Sequence, residues 1–98
     1  MIKVKIGFNS ITISGHAGFA DYGKDIVCAS ASSIITASVN DMMTVNKEAV
    51  LYSDDGNIIK IELIKQDDLV NKLFANLKAL LNSLEKDYPE NIKIESEE

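Results

Sequence analysis

The sequence predicts an α+β fold, a two-layer α/β sandwich in the order ββαββαβ. Both helices are expected on one face of a mostly antiparallel or mixed sheet. Three observations carry this: short runs of alternating apolar and polar residues, two longer runs with helical spacing, and a length of 98 residues that suits one domain spanning 1–98. A body of that size buries roughly two-thirds of its unfolded surface, so a site on it is expected to be a groove at the edge of the core.

Ile2, Val4, Ile6 and Phe8 alternate with Lys3, Lys5 and Gly7, the period of a half-buried strand. Asn9-Ser10 offers a two-residue turn into a second strand, where Ile11 and Ile13 alternate with Thr12 and Ser14. With so tight a turn Phe8 would face Ile11, and Ile6 would face Ile13. From Gly15 to Lys24 the chain is glycine-rich and without sustained period, which reads as a loop.

Asp25 is placed to cap a helix, with Val27, Ala31, Ile34, Ile35, Val39, Met42 and Met43 at helical spacing to about Val45. Residues 49–52 and 58–64 read as strands, and Asp55-Gly56 supplies the turn between them. Asp67 or Asp68 starts a second helix with the stripe Leu69, Leu73, Leu77, Leu80 and Leu84, flanked by Phe74 and Leu81. That stripe is the normal mark of a core-facing helix, and a partner-binding face is the other reading. Pro89, lacking an amide hydrogen, ends the helix, and residues 91–95 form a last strand. The final residues are an acidic, solvated tail.

Apolar residues make up 46% and charged residues 26% of the chain, an ordinary globular mixture. The formal charge of −5, from 15 acidic and 10 basic side chains, argues against direct nucleic-acid binding and favours basic partners. No apolar run is expected to span a bilayer, and no signal segment opens the chain. The lone cysteine fits a reducing compartment, so the expected location is cytoplasmic, without membrane contact.

The chemistry-bearing residues are one histidine, His16, and one cysteine, Cys28, on either side of the glycine-rich loop. Cysteine catalysis uses a thiolate, and an imidazole can take its proton or stand beside the anion. With Asp25 as cap, Cys28 is the third residue of the helix, where unpaired amides and the helix dipole favour an anion. Those amides are also candidates to hold an acyl-transfer oxyanion. Against this stands ordinary packing: Cys28 lies in line with Ser32, Ile35, Val39 and Met42, and free cysteine is often buried. Strand alternation also puts His16 opposite the apolar face, unless Gly15 bends the chain and ends the pattern. Asp25 can orient His16 as the third member of a triad does, besides capping. One His, one Cys and scattered acids do not make a zinc site, and Gly15, Gly18 and Gly23 match no phosphate loop; no metal and no cofactor are expected.

The segment Gly15-His16-Ala17-Gly18-Phe19-Ala20, followed by Gly23-Lys24-Asp25-Ile26-Val27-Cys28-Ala29, resembles the ribosomal-processing cysteine protease family, Prp. The likeness is strongest over residues 14–32, and the remaining elements agree with the family in order and length. The resemblance implies a cysteine endopeptidase that removes the N-terminal extension of large-subunit ribosomal protein number twenty-seven and so supports ribosome assembly. It implies Cys28 as nucleophile and His16 as general base, with Asp25 and Ser32 as supporting residues. It implies that Ala17 to Lys24 order around substrate, with Gly18, Phe19, Tyr22 and Gly23 in the substrate loop, and that the protein is a homodimer. Two other classes compete: a non-catalytic interaction module that binds a basic ribosomal protein, and a redox sensor using Cys28, which would need a second subunit or glutathione to resolve it.

Overall fold

The structure, a computed structural model, describes residues 1–15 and 25–96. Its elements run β1 (Ile2–Ile6), β2 (Ser10–Ser14), α1 (Ile26–Val45), β3 (Val50–Asp54), β4 (Ile58–Leu63), α2 (Asp68–Asp87) and β5 (Ile92–Ser96). The expected ββαββαβ order is the observed one. The five strands form one mixed sheet in the order β3-β4-β2-β1-β5. β5 lies parallel to β1, and all other neighbours are antiparallel.

Alternation decides which face of the sheet is covered. Ile2, Val4 and Ile6 of β1, Ile11 and Ile13 of β2, and Ile61 and Leu63 of β4 are buried. Lys3 and Lys5, between them in sequence, are exposed, as is Lys60 next to Ile61. Against the apolar face α1 sets Val27, Ala31, Ile35, Val39 and Met42, and α2 sets Val70, Phe74, Leu77, Leu81 and Leu84. These residues form one continuous core. Burying such side chains is the main favourable term in a domain this small.

Four expectations are corrected. The first hairpin does not turn tightly on Asn9-Ser10: Ile6 pairs with Ile11 and Val4 with Ile13, two residues out of the expected register. Gly7 donates its amide to the Ser10 carbonyl at 2.8 Å, and Phe8 stands 82% exposed on the turn. A two-residue turn of the favoured type needs positive φ at both central positions. Among the described residues no non-glycine adopts it, and the chain turns instead over residues 7–10, with Phe8 and Asn9 at the tip. A slip of two preserves the faces, which is why the apolar pairing survives.

The buried stripe of α2 is displaced from the leucine stripe, keeping Leu77 and Leu84, with Leu73 partly buried, but not its other two leucines. Leu69 and Leu80 are 52% and 40% exposed, while Val70 and Leu81 are fully buried. At 3.6 residues per turn the true face lies roughly 60° around the axis from the centre of the leucines. The third strand begins at Val50 and runs on to Asp54 instead of ending at residue 52.

Finally, α1 is long and apolar enough, by length and composition, to cross a membrane, contrary to the expectation that no segment would be. Val27, Ala31, Ile35, Val39 and Met42 are buried in the core, and the exposed positions include Ser32, Ser33, Thr36 and Asn40, the pattern of a core helix.

Both helices are capped as expected. Asp67 accepts the Val70 amide at 2.8 Å, and α2 ends at Asp87, before Tyr88 and Pro89. Glu85 of α2 accepts the Ile94 amide at 2.7 Å, tying β5 to the helix that delivers it.

Candidate active site

Cys28 occupies the third position of α1 because Asp25 starts the helix there. Asp25 has extended backbone, φ −78° and ψ 102°, and its Oδ1 accepts the amides of Val27 at 2.9 Å and Cys28 at 3.0 Å. Its carbonyl accepts the Ala29 amide at 3.1 Å, closing the first turn. Two of the first-turn amides are thereby bonded to a carboxylate. Of the amides that could hold an oxyanion, those of Val27 and Cys28 are engaged by the Asp25 carboxylate and that of Ala29 by the Asp25 carbonyl.

The Cys28 side chain is half-buried, packed against the edge of the core. It lines a cleft of about 200 Å³ between the start of α1 and the sheet. Ser32, one helical turn further on, lines the same cleft, as residues four apart on a helix must share a face. The floor is apolar, from Ile2, Ile13 and Ile35. The far wall comes from Ile59 and from Gly56 and Asn57 at the tip of the β3–β4 hairpin.

That tip is held by its own carboxylates. Asp54 Oδ1 accepts the Gly56 amide at 2.9 Å, and Asp55 Oδ1 accepts the amides of Asn57 at 2.8 Å and Ile58 at 2.7 Å. The bond from Ile58, and then that from Asn57, holds the Asp55 carboxyl below its ordinary value of 3.8. Gly56 carries the turn with φ +90°, a conformation that side-chain-bearing residues resist.

Gly15 closes the cleft at the end of β2. Its φ is +84°, and a Cβ there would run into the Met1 carbonyl oxygen, so only glycine fits. β2 therefore stops at Ser14, and the alternation that placed His16 away from the apolar face ends before it. Gly15 itself lines the cleft with Cys28.

Of the sequence-based site residues, the structure brings Cys28 and Ser32 to one cleft and places Asp25 as the cap beneath Cys28. His16, Gly18, Phe19, Tyr22 and Gly23 lie outside the described residues, as does the expected substrate loop from 17 to 24. Gly56, Asn57 and Ile59 were not foreseen. Their only signal in the sequence is the Asp55-Gly56 turn, which says nothing of where the hairpin lands. Among the described residues no group of three or more His, Cys, Asp or Glu side chains is arranged to hold a metal.

This arrangement agrees with known proteins along its whole length. A family model described as Cysteine protease Prp matches residues 1–93. A ribosomal processing cysteine protease Prp of Staphylococcus aureus is 31% identical over 103 residues, covering 96% of this chain and 97% of the relative. One of Mycoplasma genitalium is 34% identical over 101 residues, covering 99% and 97%. Among solved structures, the ribosomal processing protease Prp from S. aureus in complex with a covalently linked product peptide superposes with a TM-score of 0.89. It is 29% identical and covers 99% of this chain and 100% of its own.

Proposed function

The chain belongs to the Prp family of cysteine proteases, and on that premise we propose that it is the endopeptidase that removes the N-terminal extension of large-subunit ribosomal protein number twenty-seven. The observation that carries this reading is the position of Cys28: a thiol in the first turn of a helix, opening on a cleft with an apolar floor. The cleft gives a peptide somewhere to lie beside the thiol.

In the proposed mechanism His16 takes the thiol proton, and Cys28 Sγ attacks the scissile carbonyl carbon. The tetrahedral oxyanion collapses as His16 returns the proton to the leaving amine nitrogen, breaking the C–N bond and leaving a thioester. Water, deprotonated by His16, then attacks the thioester, and the carboxylate product leaves as Cys28 regains its proton. Because Asp25 already holds the amides of Val27 and Cys28, the Ser32 hydroxyl is assigned to the oxyanion. Asp25 has a second role in orienting His16. The protein works in the cytoplasm as a homodimer, and its net charge of −5 favours encounter with a basic ribosomal substrate.

The test is incubation of the purified protein with the extended ribosomal protein, beside Cys28→Ala, read by intact mass. A single N-terminal loss with wild type and none with Cys28→Ala is the expected result. Full cleavage by Cys28→Ala overturns the assignment of the nucleophile. Stable binding without cleavage by either protein replaces the protease with an interaction module.

A further inference from the structure

The helices cover one face of the sheet, and alternation along the strands decides what the other face carries. Lys3 and Lys5 of β1, Lys60 of β4 and Lys93 of β5 all stand on that open face, exposed. Among strand residues it thus holds four of the ten basic side chains of the protein but, in Glu62 and Glu95, only two of the fifteen acidic ones. The net charge of −5 is a sum, and it hides a basic sheet face on an otherwise acidic body.

Register gathers these cations. Lys5 lies between Thr12 and Glu95, and Thr12 lies in turn beside Lys60. Lys3 lies between Ser14 on one side and Lys93 on the other. Among the described residues Lys60 is ion-paired, with Glu62 at 3.9 Å, whereas Lys3, Lys5 and Lys93 are in no ion pair. Like charges on opposed strand residues cost stability, so folding alone does not favour Lys3 beside Lys93. A polyanion laid on the face turns that repulsion into attraction. Tyr52, the one aromatic residue in the strands, pairs with buried Ile61 and so belongs to the covered face. The open face therefore has no strand aromatic on which bases could stack, and its lysines and the hydroxyls of Thr12 and Ser14 suit phosphates and sugar hydroxyls instead. The row of Lys93, Lys3 and Ser14 ends at the cleft, which Ser14 lines with Cys28.

We propose that the open sheet face binds double-helical RNA through its phosphate backbone, with Lys3, Lys5 and Lys93 making the contacts. RNA is the polyanion that accompanies a ribosomal protein, and this choice of polyanion rests on the protease reading above. Total charge argues against such a partner, but screening limits each phosphate to charges within about 8 Å at physiological ionic strength, and those nearest it here are lysines.

The test measures binding of a fluorescently labelled RNA hairpin stem to the full chain by anisotropy. Three phosphate contacts predict an affinity that falls about 40-fold between about 50 and 200 mM salt. Lys3→Gln, Lys5→Gln and Lys93→Gln should each weaken binding and lower the slope of log Kd against log salt by about 1. Lys47→Glu combined with Lys72→Glu, both exposed and outside the sheet, should leave the slope as it is. Lys93→Glu sets opposite charges side by side and should raise the melting temperature while it weakens RNA binding, a combination that loss of folding cannot produce. No binding at about 50 mM salt, or binding that all three Gln variants leave unchanged, overturns the RNA face. Equal binding to vesicles of anionic lipid, lost in the same variants, overturns RNA as the partner in favour of a membrane surface. Cleavage of the extended ribosomal protein without RNA binding leaves the protease reading intact, and RNA binding without cleavage overturns that reading alone.

Discussion

The two helices have the same length, 20 residues each, and both begin at an aspartate that caps with its side chain, yet they serve different ends. α2 is built for stability: Asp68 in its first turn and Lys86 in its last suit the helix dipole, Lys78 reaches over the Phe74 ring, and its buried face is large and apolar. α1 has no acid in its first turn beyond the cap and no base in its last. Its cap holds two amides where that of α2 holds one, and it brings a half-buried thiol to the rim of a cleft. The contrast teaches that a helix start can be spent on a site only where another element supplies the stability.

Substitutions along the two helices sharpen this contrast. The largest effect belongs to Cys28→Ala, whose loss of cleavage should come with a melting temperature close to that of wild type, since the side chain lies at the edge of the core. Next is Ser32→Ala: loss of one oxyanion donor is expected to lower kcat by about 100-fold with little change in KM, read in steady-state kinetics. An unchanged kcat would return the oxyanion to the backbone amides. In α2 the counterpart is Leu81→Ala, fully buried, expected to cost about 2–5 kcal/mol in urea unfolding. Activity per folded molecule should be untouched, and a large drop in it would show that α2 contributes to the site.

The caps give a smaller and more pointed comparison. Asp67→Ala and Asp25→Ala should each cost about 1 kcal/mol of stability. Asp25→Ala alone should also reduce cleavage, and Asp25→Asn, which can keep the cap, should restore stability but not full activity. Equal activity in Asp25→Asn and wild type would reduce Asp25 to a cap. The smallest effect is expected at Leu80: being 40% exposed, its change to Ala should alter stability by less than about 0.5 kcal/mol. A loss near that of Leu81→Ala would restore the leucine stripe as the buried face.

Much of this architecture is written locally. The alternation of Ile2, Val4 and Ile6, the capping positions of Asp25 and Asp67, and the stop at Pro89 each act over a few residues, so periodicity and capping chemistry reveal them. The family motif likewise lies within one stretch, and it carries Cys28 and Ser32 to the cleft that the structure shows. Where two local choices were nearly equal, the sequence misled. Leucines 69 and 80 are as apolar as the residues that are buried, and only packing against the sheet decides which side of α2 turns inward.

By itself, then, the sequence determined the order of elements, the starts of both helices and the place of the thiol on the first turn of one of them, because these depend on backbone hydrogen bonding between near neighbours. The tertiary structure alone decided what faces that thiol. Ile59 is 31 positions from Cys28 along the chain, and it reaches the cleft because β4 pairs with β2 in a register that sets Ile59 opposite Ile13. Pairing between distant strands is chosen by burial of a common apolar face, a property of the assembled sheet and of no single segment.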